Sequence, residues 1–290
     1  MTYPFLKGHG TRNDFVLLPD HDGSVHGALD VERVRALCDR RAGIGGDGVL
    51  RVVRTTALAA TDPDAAALAE GVEWFMDYRN ADGSVSEMCG NGVRVFALHL
   101  LQEGLVEAGT PIPVGTRDGV KVVTPAGGAP EDGLTVDMGA PRLVGRTEVS
   151  VGERAWPARH VDMGNPHAVA FVDSLDDAGS LLEAPGHDAG VYPDGVNVEF
   201  VVRRGPRHVA MRVHERGSGE TSSCGTGACA VMVAAAEADG ALGAEGVEGA
   251  AGAAYRVDLP GGTLTIALDA AGHVLMTGPA VVVARGTTDL

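Results

Sequence analysis

Two cysteines in this 290-residue chain stand in matching surroundings that suit acid–base chemistry. Cys89 and Cys224 each begin a Cys-Gly-x-Gly sequence, and an apolar segment typical of a helix follows both of them. A thiolate is favoured at a helix N-terminus, where free N–H groups and the macrodipole present positive potential. The glycines let a ligand approach the backbone, whose N–H groups can bind a carboxylate. The pattern therefore predicts two reactive thiols, each beside an anion-binding turn.

The surroundings of the two cysteines form an internal repeat. Met76 and Met211 each precede their cysteine by 13 residues, and both copies predict a strand, a polar turn, the Cys-Gly-x-Gly sequence and a helix. The cysteines are 135 residues apart, which is close to half of the chain. This spacing indicates a duplication. We expect the two halves to pair about a pseudo-twofold axis, with the two thiols on opposite walls of a cleft.

Two thiols on opposite sides of one carbon suit the inversion of an amino-acid α-carbon. One thiolate removes the α-proton, and the other thiol returns a proton to the opposite face. The carbanion is stabilised through the substrate carboxylate by preorganised backbone N–H donors. Cys38 and Cys229 are not followed by a Gly-x-Gly sequence, and we expect them to be small buried side chains.

Short strands dominate the predicted secondary structure, because Val-rich runs alternate with Gly, Pro, Asp and Asn. Helices are expected at 30–40, 93–103 and 228–239, and exposed loops at 55–71 and 240–253. The predicted strands are 15–18, 48–53, 73–78, 120–124, 134–138, 168–172, 196–202, 209–213, 263–268 and 280–284.

The charge and the apolar content of the chain indicate which kinds of partner it can have. The formal net charge of −16 disfavours a nucleic-acid partner, since an acidic surface repels phosphate backbones. The longest apolar run, 228–236, is too short to cross a bilayer, and the N-terminus lacks a signal-peptide pattern. We therefore expect a cytoplasmic protein with no membrane partner. No clustered Cys or His spacing predicts a metal, and the glycine-rich loop 43–48 lacks the Gly-Lys-Ser/Thr ending of a phosphate loop.

Several segments together resemble the diaminopimelate epimerase family in order and spacing, over nearly the whole chain. They are Asn80–Ser84, Met88–Arg94, Gly164–Ala168, Glu215–Thr221 and Cys224–Ala228. The resemblance implies an isomerase that needs no cofactor and interconverts LL- and meso-diaminopimelate in lysine and peptidoglycan precursor biosynthesis. It also implies an α/β (α+β) fold of two pseudo-symmetric domains of like fold. Each is a curved, mainly antiparallel sheet wrapped around a central helix, and the protein is expected to be a homodimer.

The resemblance divides the chain and assigns its residues. Residues 1–128 plus about 277–290 are expected to form the half that carries Cys89, and residues 129–276 the half that carries Cys224. Gly48 departs from the family pattern, because some members place glutamine there, and a contact made by that side chain would be missing. The expected catalytic residues are Cys89, Cys224, His167 and Glu215. The expected substrate-binding residues are Asn13, Asn80, Gly90, Asn91, Asn165, Asn197, Glu215, Arg216, Gly225 and Thr226.

The polar residues among these fit a substrate with an amino-acid group at each end. Arg216 can donate two parallel hydrogen bonds to a distal carboxylate, and Glu215 can accept from an ammonium group. Three other interpretations remain open. They are a proline or hydroxyproline type of racemase on the same fold, a thiol hydrolase that uses Cys89 with His167, and an amino-acid-binding protein without catalysis.

Overall fold

The computed structural model describes residues 2–242 and 252–290. The strands are β1 (Tyr3–Gly10), β2 (Asn13–Pro19), β3 (Gly48–Arg54), β4 (Trp74–Asn80), β5 (Ile112–Thr116), β6 (Gly119–Pro125), β7 (Leu134–Asp137), β8 (Arg142–Val151), β9 (Arg154–Asp162), β10 (Pro166–Phe171), β11 (Gly186–His187), β12 (Asn197–Gly205), β13 (His208–Glu215), β14 (Gly219–Glu220), β15 (Ala254–Leu259), β16 (Gly262–Leu268), β17 (Val274–Gly278) and β18 (Val281–Thr288). The α-helices are α1 (Val31–Cys38), α2 (Thr55–Leu58), α3 (Pro63–Leu68), α4 (Gly90–Gln102) and α5 (Gly225–Ala238), and short 3-10 helices lie at Ala126–Gly128, Pro130–Asp132 and Leu175–Ala178.

The chain divides into two compact units. Unit 1 comprises Met1–Val136 together with Pro279–Leu290, and unit 2 comprises Asp137–Gly278. In unit 1 the strands are hydrogen-bonded in the order β18, β1, β2, β3, β4, β5, β6, β7. The β2–β3 and β4–β5 pairs are parallel, and the other pairs in this order are antiparallel.

Unit 2 repeats this arrangement. Its strands are hydrogen-bonded in the order β8, β9, β10, β12, β13, β15, β16, β17, with the β10–β12 and β13–β15 pairs parallel and the others antiparallel. The short strands β11 and β14 add pairings to β8 and β13. The same succession of parallel and antiparallel pairs occurs in both units. In each unit the longest helix comes after the fifth strand of the hydrogen-bonded order, which is β4 in unit 1 and β13 in unit 2. The duplication predicted from the sequence repeat is therefore present in the strand topology.

One long helix lies at the centre of each unit. Helix α4 contacts β1, β2, β3, β5, β6 and β18, while α5 contacts β9, β10, β12, β13, β15, β16 and β17. Every residue of α4 from Gly90 to Leu100 is buried, as is most of α5. A helix surrounded by strands has no polar face, which explains the apolar residues around these helices. No helix within the described parts of the chain has the length and apolar character needed to cross a membrane.

The two central helices begin three residues earlier than the sequence predicted. The glycines after each cysteine belong to the first helical turn, and Cys89 and Cys224 are the N-cap residues themselves. Glycine is a poor former of helix interiors, but the first turn tolerates it when close packing needs the space. The prediction for α1 holds at its start, where Asp30 caps the helix by accepting from the N–H of Arg33 at 2.8 Å.

The predicted exposed loop at 55–71 is wrong. This segment forms α2 and α3, because Asp62 caps α3 and Pro63 occupies its first turn. Leu58 and Ala65 are buried against Phe75, which offsets the weak helix signal of so short a segment. Most of the predicted loop at 240–253 lies outside the described residues.

Because two histidines are buried, we expect the folded protein to lose stability in mild acid. The ring nitrogens of His26 and His99 have no hydrogen-bond partner among the described residues. Burial lowers the pKa of each from 6.5 to about 4. The unfolded chain therefore binds more protons between these pH values, so the free energy of unfolding falls as the pH falls from 6.5 to about 4. Urea midpoints measured across that window should decrease, and His99→Leu should flatten the decrease.

His273 provides the control for this prediction. Its hydrogen bond to Asp137 raises its pKa above 6.5, so its contribution to stability is complete below pH 6.5 and is lost as the pH rises through the raised value. His273→Gln should therefore leave the slope below pH 6.5 unchanged. A slope that the His99 and His273 variants alter equally would contradict the assignment to buried histidines.

Candidate active site

In unit 1 the predicted residues gather around the first turn of α4. Cys89 has extended backbone angles (φ −143°, ψ 118°) and is partly exposed. Its Sγ donates to Oδ1 of Asn13, which lies 3.4 Å away at the start of β2. The helix N-terminus favours a negative charge here, whereas a carbonyl oxygen against the sulfur favours the thiol. The first turn of α4 and the Asn13 side chain therefore both face the Cys89 sulfur.

The side chain of Asn13 is held in place from two sides. Its Nδ2 donates to Asp47 at 2.8 Å, and its Oδ1 accepts from Nδ2 of Asn91 at 3.2 Å. Asn91 is in turn oriented by Arg94, whose Nη2 donates to the Asn91 Oδ1 at 2.8 Å. Asn91 and Arg94 are almost completely buried, so these contacts are protected from water. Asp47 and Arg94 were not predicted as site residues, although a lone arginine in an apolar helix is a visible signal.

The other predicted residue of unit 1 lies at the end of β4. Asn80 donates from Nδ2 to Oγ of Ser84 at 3.0 Å, and β3 places Gly48 directly opposite it. Gly48 is buried. A Cβ atom there would lie 2.5 Å from the carbonyl oxygen of Arg79 and 2.6 Å from the ring of Tyr78. A side chain at position 48 would therefore collide with β4.

In unit 2 the sulfur of Cys224 is buried and faces both donors and carboxylates. The N–H of Gly227 donates to Sγ at 3.4 Å, and the hydroxyl of Thr226 lies 3.6 Å from it. Burial raises the pKa of the Cys224 thiol well above its usual value, and the charges of Glu215 and Glu199 raise it further. The hydrogen bonds from Thr226 and Gly227 oppose this increase. The balance of these effects favours the thiol over the thiolate at Cys224.

A buried histidine–carboxylate pair stands behind Cys224. Nδ1 of His167 lies 2.6 Å from Oε1 of Glu199, and both side chains are fully buried. Nε2 of His167 lies 3.0 Å from Oδ1 of Asn165, whose Nδ2 donates to Thr226 at 3.5 Å. Four residues that the sequence predicted, Asn165, His167, Thr226 and Cys224, are thus connected by hydrogen bonds. Glu199 was missed, although it is a lone acidic residue in an apolar strand.

The remaining predicted residues of unit 2 lie where β12 and β13 meet. Oδ1 of Asn197 accepts from the backbone N–H of Arg216 at 2.9 Å, and this fixes the turn after β13. Glu215 accepts a hydrogen bond from the hydroxyl of Thr221. The Arg216 side chain is exposed in unit 2 and donates to the carbonyl oxygen of Asp194 at 3.3 Å. Its guanidinium group therefore keeps donors available for an anion.

A substitution at Gly227 tests the packing between the first turn of α5 and Glu199. A Cβ atom there would lie 2.7 Å from Oε1 of Glu199 and 3.2 Å from the Cys224 sulfur. Gly227→Ala should therefore displace both groups and lower turnover by about tenfold or more, as measured with the substrate proposed below.

The equivalent glycine of unit 1 is the matched control. A Cβ atom on Gly92 would meet the Leu50 Cδ2 at 3.3 Å and the Cys89 Cβ at 3.5 Å, which flexible side chains can accommodate. Gly92→Ala should therefore cost much less activity than Gly227→Ala. Equal losses in the two variants would show that crowding at Glu199 is not the cause.

Solved structures share the fold of this chain. The Bacillus anthracis phenazine biosynthesis protein of the PhzF family matches with a TM-score of 0.69 over 100% of both chains, at 15% identity. A hydroxyproline epimerase from Agrobacterium vitis matches with a TM-score of 0.65 over 99% of this chain and 92% of its own, at 16% identity. Together with the repeated topology, these matches confirm the predicted α+β class with two units of like fold.

Sequence comparison is more specific. A sequence model of diaminopimelate epimerase matches residues 5–144 and 159–283. The diaminopimelate epimerase of Streptomyces coelicolor is 60% identical over 287 residues, which cover 98% of this chain and 95% of that protein. The diaminopimelate epimerase of Rhodococcus opacus is 47% identical over 295 residues, covering 98% of this chain and 96% of that protein. The chain therefore belongs to the diaminopimelate epimerase family.

Proposed function

We propose that this chain interconverts LL- and meso-diaminopimelate by α-proton transfer between two cysteines, without a cofactor. One observation carries the proposal. Both units place a Cys-Gly-x-Gly cysteine at the N-cap of a buried central helix, and the two units share one strand topology. Membership of the diaminopimelate epimerase family selects this substrate over proline or hydroxyproline, because the relatives with 47–60% identity carry that name.

Each cysteine supplies one half of the chemistry. One cysteine, as a thiolate, acts as the base and takes the α-proton from one face of the stereocentre. The other cysteine, as a thiol, gives a proton to the opposite face. The product is the inverted centre, and the two sulfurs have exchanged their protonation states. Backbone N–H groups of the first helical turns, at Gly90 and Gly225, are the donors for the reacting carboxylate, where negative charge grows. Asn91 and Thr226 complete this set.

The distal end of diaminopimelate needs partners for a carboxylate and an ammonium group. We assign the carboxylate to Arg216, whose exposed guanidinium group can form a bidentate pair. Glu215 and the side chains of Asn13, Asn80, Asn165 and Asn197 supply acceptors and donors for the rest of the substrate. His167 and Glu215 support the Cys224 thiol.

We also propose how the two units and the subunits of the protein are organised. Unit 1 is the half that carries Cys89, and unit 2 is the half that carries Cys224. The family resemblance supports a cytoplasmic homodimer that acts in lysine and peptidoglycan precursor biosynthesis. Analytical ultracentrifugation of the purified protein tests the dimer directly, and a sedimenting species of monomer mass at micromolar concentration would contradict it.

The function is tested by incubating the purified protein with LL-diaminopimelate and no added cofactor. We expect the meso isomer to accumulate and, in D₂O, solvent deuterium to appear at the α-carbon of the product. Proline and hydroxyproline serve as comparison substrates. Faster deuterium exchange on those two amino acids would favour the racemase alternative, and a cleavage product would favour a hydrolase. Absence of both exchange and product would leave only an amino-acid-binding role.

A further inference from the structure

One buried acidic residue of unit 2 stands beside the proposed site without a role in the chemistry above. Glu199 lies in β12, its side chain is fully buried, and its apolar neighbours Val198 and Phe200 are buried as well. Its Oε1 lies close to the first turn of α5, since a Cβ atom on Gly227 would be 2.7 Å away. A buried carboxylate is costly unless a partner compensates it, so a residue at this position requires an explanation.

The partner is His167, and the hydrogen-bond geometry constrains the protons that the pair holds. Oε1 of Glu199 and Nδ1 of His167 are 2.6 Å apart, so one proton lies between them. The other ring nitrogen, Nε2, faces Oδ1 of Asn165 at 3.0 Å. An amide oxygen can only accept, so Nε2 must carry a proton of its own. This holds whether the shared proton sits on the carboxyl group or on the ring.

Asn165 and Thr226 connect the His167 ring to the sulfur of Cys224. Asn165 places its Oδ1 toward His167 and therefore its Nδ2 toward Thr226, at 3.5 Å from Oγ1. The Thr226 oxygen then accepts from Asn165, and its own proton is available to Sγ of Cys224 at 3.6 Å. Each group donates to the next in the direction of Cys224. Donation from Thr226 lowers the pKa of Cys224 against the effects of burial and of the two carboxylates.

We propose that Glu199 is a positioning residue for Cys224, which sets the direction of a hydrogen-bond chain through His167, Asn165 and Thr226. Burial raises the pKa of Glu199, and its protonated carboxyl group donates to Nδ1, so the ring carries its proton on Nε2 and fixes the orientation of the Asn165 amide. Without this donor, the ring can carry its proton on Nδ1 instead. The Asn165 amide then turns over, and the Thr226 proton points at Asn165 instead of at sulfur. This inference rests on the proposed function, because its consequence is a change in turnover at Cys224.

The first experiment uses the unaltered protein. Histidine labelled with ¹⁵N allows the ring nitrogens of His167 to be observed by NMR, with His167→Asn to assign the signals. We expect a proton on Nε2 in the parent protein and its loss in Glu199→Leu, which has no donor for Nδ1, whereas Glu199→Gln can still donate from its amide and should keep the proton on Nε2. A parent protein in which Nε2 carries no proton would overturn the proposal, and this result needs neither a variant at Glu199 nor a substrate.

The second experiment is a double-mutant cycle on kcat with LL-diaminopimelate. Glu199→Leu and Thr226→Val should each lower kcat, by about tenfold, and Glu199→Leu should leave KM nearly unchanged. If Glu199 acts through Thr226, the double variant should be no slower than Thr226→Val alone. Losses that multiply, or a Glu199→Leu variant with the parent kcat, would overturn the proposal. A purely structural role predicts multiplied losses.

A second histidine–carboxylate pair in unit 2 provides the matched control. Nε2 of His208 lies 2.6 Å from Oδ2 of Asp258, and neither residue has a role in the proposed site. Asp258→Asn should leave kcat unchanged, and its effect should be independent of Thr226→Val. If the parent protein does not act on diaminopimelate, the proposed function is wrong. The NMR experiment would still show whether Nε2 of His167 carries a proton, so the two failures can be distinguished.

Discussion

Replacing either Cys89 or Cys224 by alanine should lower epimerisation of LL-diaminopimelate by on the order of 10²–10⁴-fold or more. The two-base route needs an acceptor on one face of the α-carbon and a donor on the other, so neither sulfur can substitute for its counterpart. The measurement is the initial rate of meso isomer formation by chiral chromatography, in the presence of saturating substrate. Full activity in either single variant would contradict the two-base route.

The chain contains its own controls for this experiment. Cys229 lies in the same helix as Cys224 and is fully buried, and Cys38 is buried beside Val34 and Leu37. Burial also raises the pKa of Cys38 to about 11, which makes it a poor nucleophile. Cys38→Ala and Cys229→Ala should each cost about 1 kcal/mol of stability and retain the parent rate. A large loss of rate in these variants would mean that thiol removal harms the fold rather than the chemistry.

The second large effect is expected at Arg216, and it should depend on the substrate. Arg216→Ala should lower kcat/KM for diaminopimelate by about 10–100-fold, because a charge-assisted pair with the distal carboxylate is lost. A larger effect is not expected, since the Arg216 side chain is exposed in unit 2 and water can replace some of its contacts. Arg216→Lys should recover part of the lost kcat/KM, because it restores the positive charge but not the two parallel N–H donors of the guanidinium group.

Two analogues separate the distal groups. Lysine is diaminopimelate without the distal carboxylate, and 2-aminopimelate is diaminopimelate without the distal amine. Inhibition of the parent protein by 2-aminopimelate should weaken in the Arg216→Ala variant, whereas inhibition by lysine should not change. If both analogues lose affinity equally, Arg216 does not bind the distal carboxylate and acts on the turn that follows β13 instead.

Local patterns were sufficient for much of the fold. Each of the ten predicted strands overlaps an observed strand, and the three predicted helices correspond to α1, α4 and α5. Eight of the eighteen strands in the described residues were not predicted. The two longest of these, β8 and β9, were missed because their charged residues, together with Gly145 and Pro157, interrupt the alternating pattern. Helices α2 and α3 were missed, although Asp62 and Pro63 mark the start of α3, because helices this short depend on burial against Phe75. That long-range packing is not visible in the local sequence.

The family, the repeat and the two cysteines could be predicted from the sequence, because they depend on residue types and spacings along one chain. The groups that surround each sulfur became known from the folded structure alone. Asp47 and Arg94 orient the side chains around Cys89, and Glu199 reaches the first turn of α5 from a neighbouring strand. The contacts of Asp47 with Asn13 and of Glu199 with α5 join residues that are far apart along the chain. The protonation preference of a thiol depends on such buried neighbours, since charges act through space and burial removes the water that would screen them.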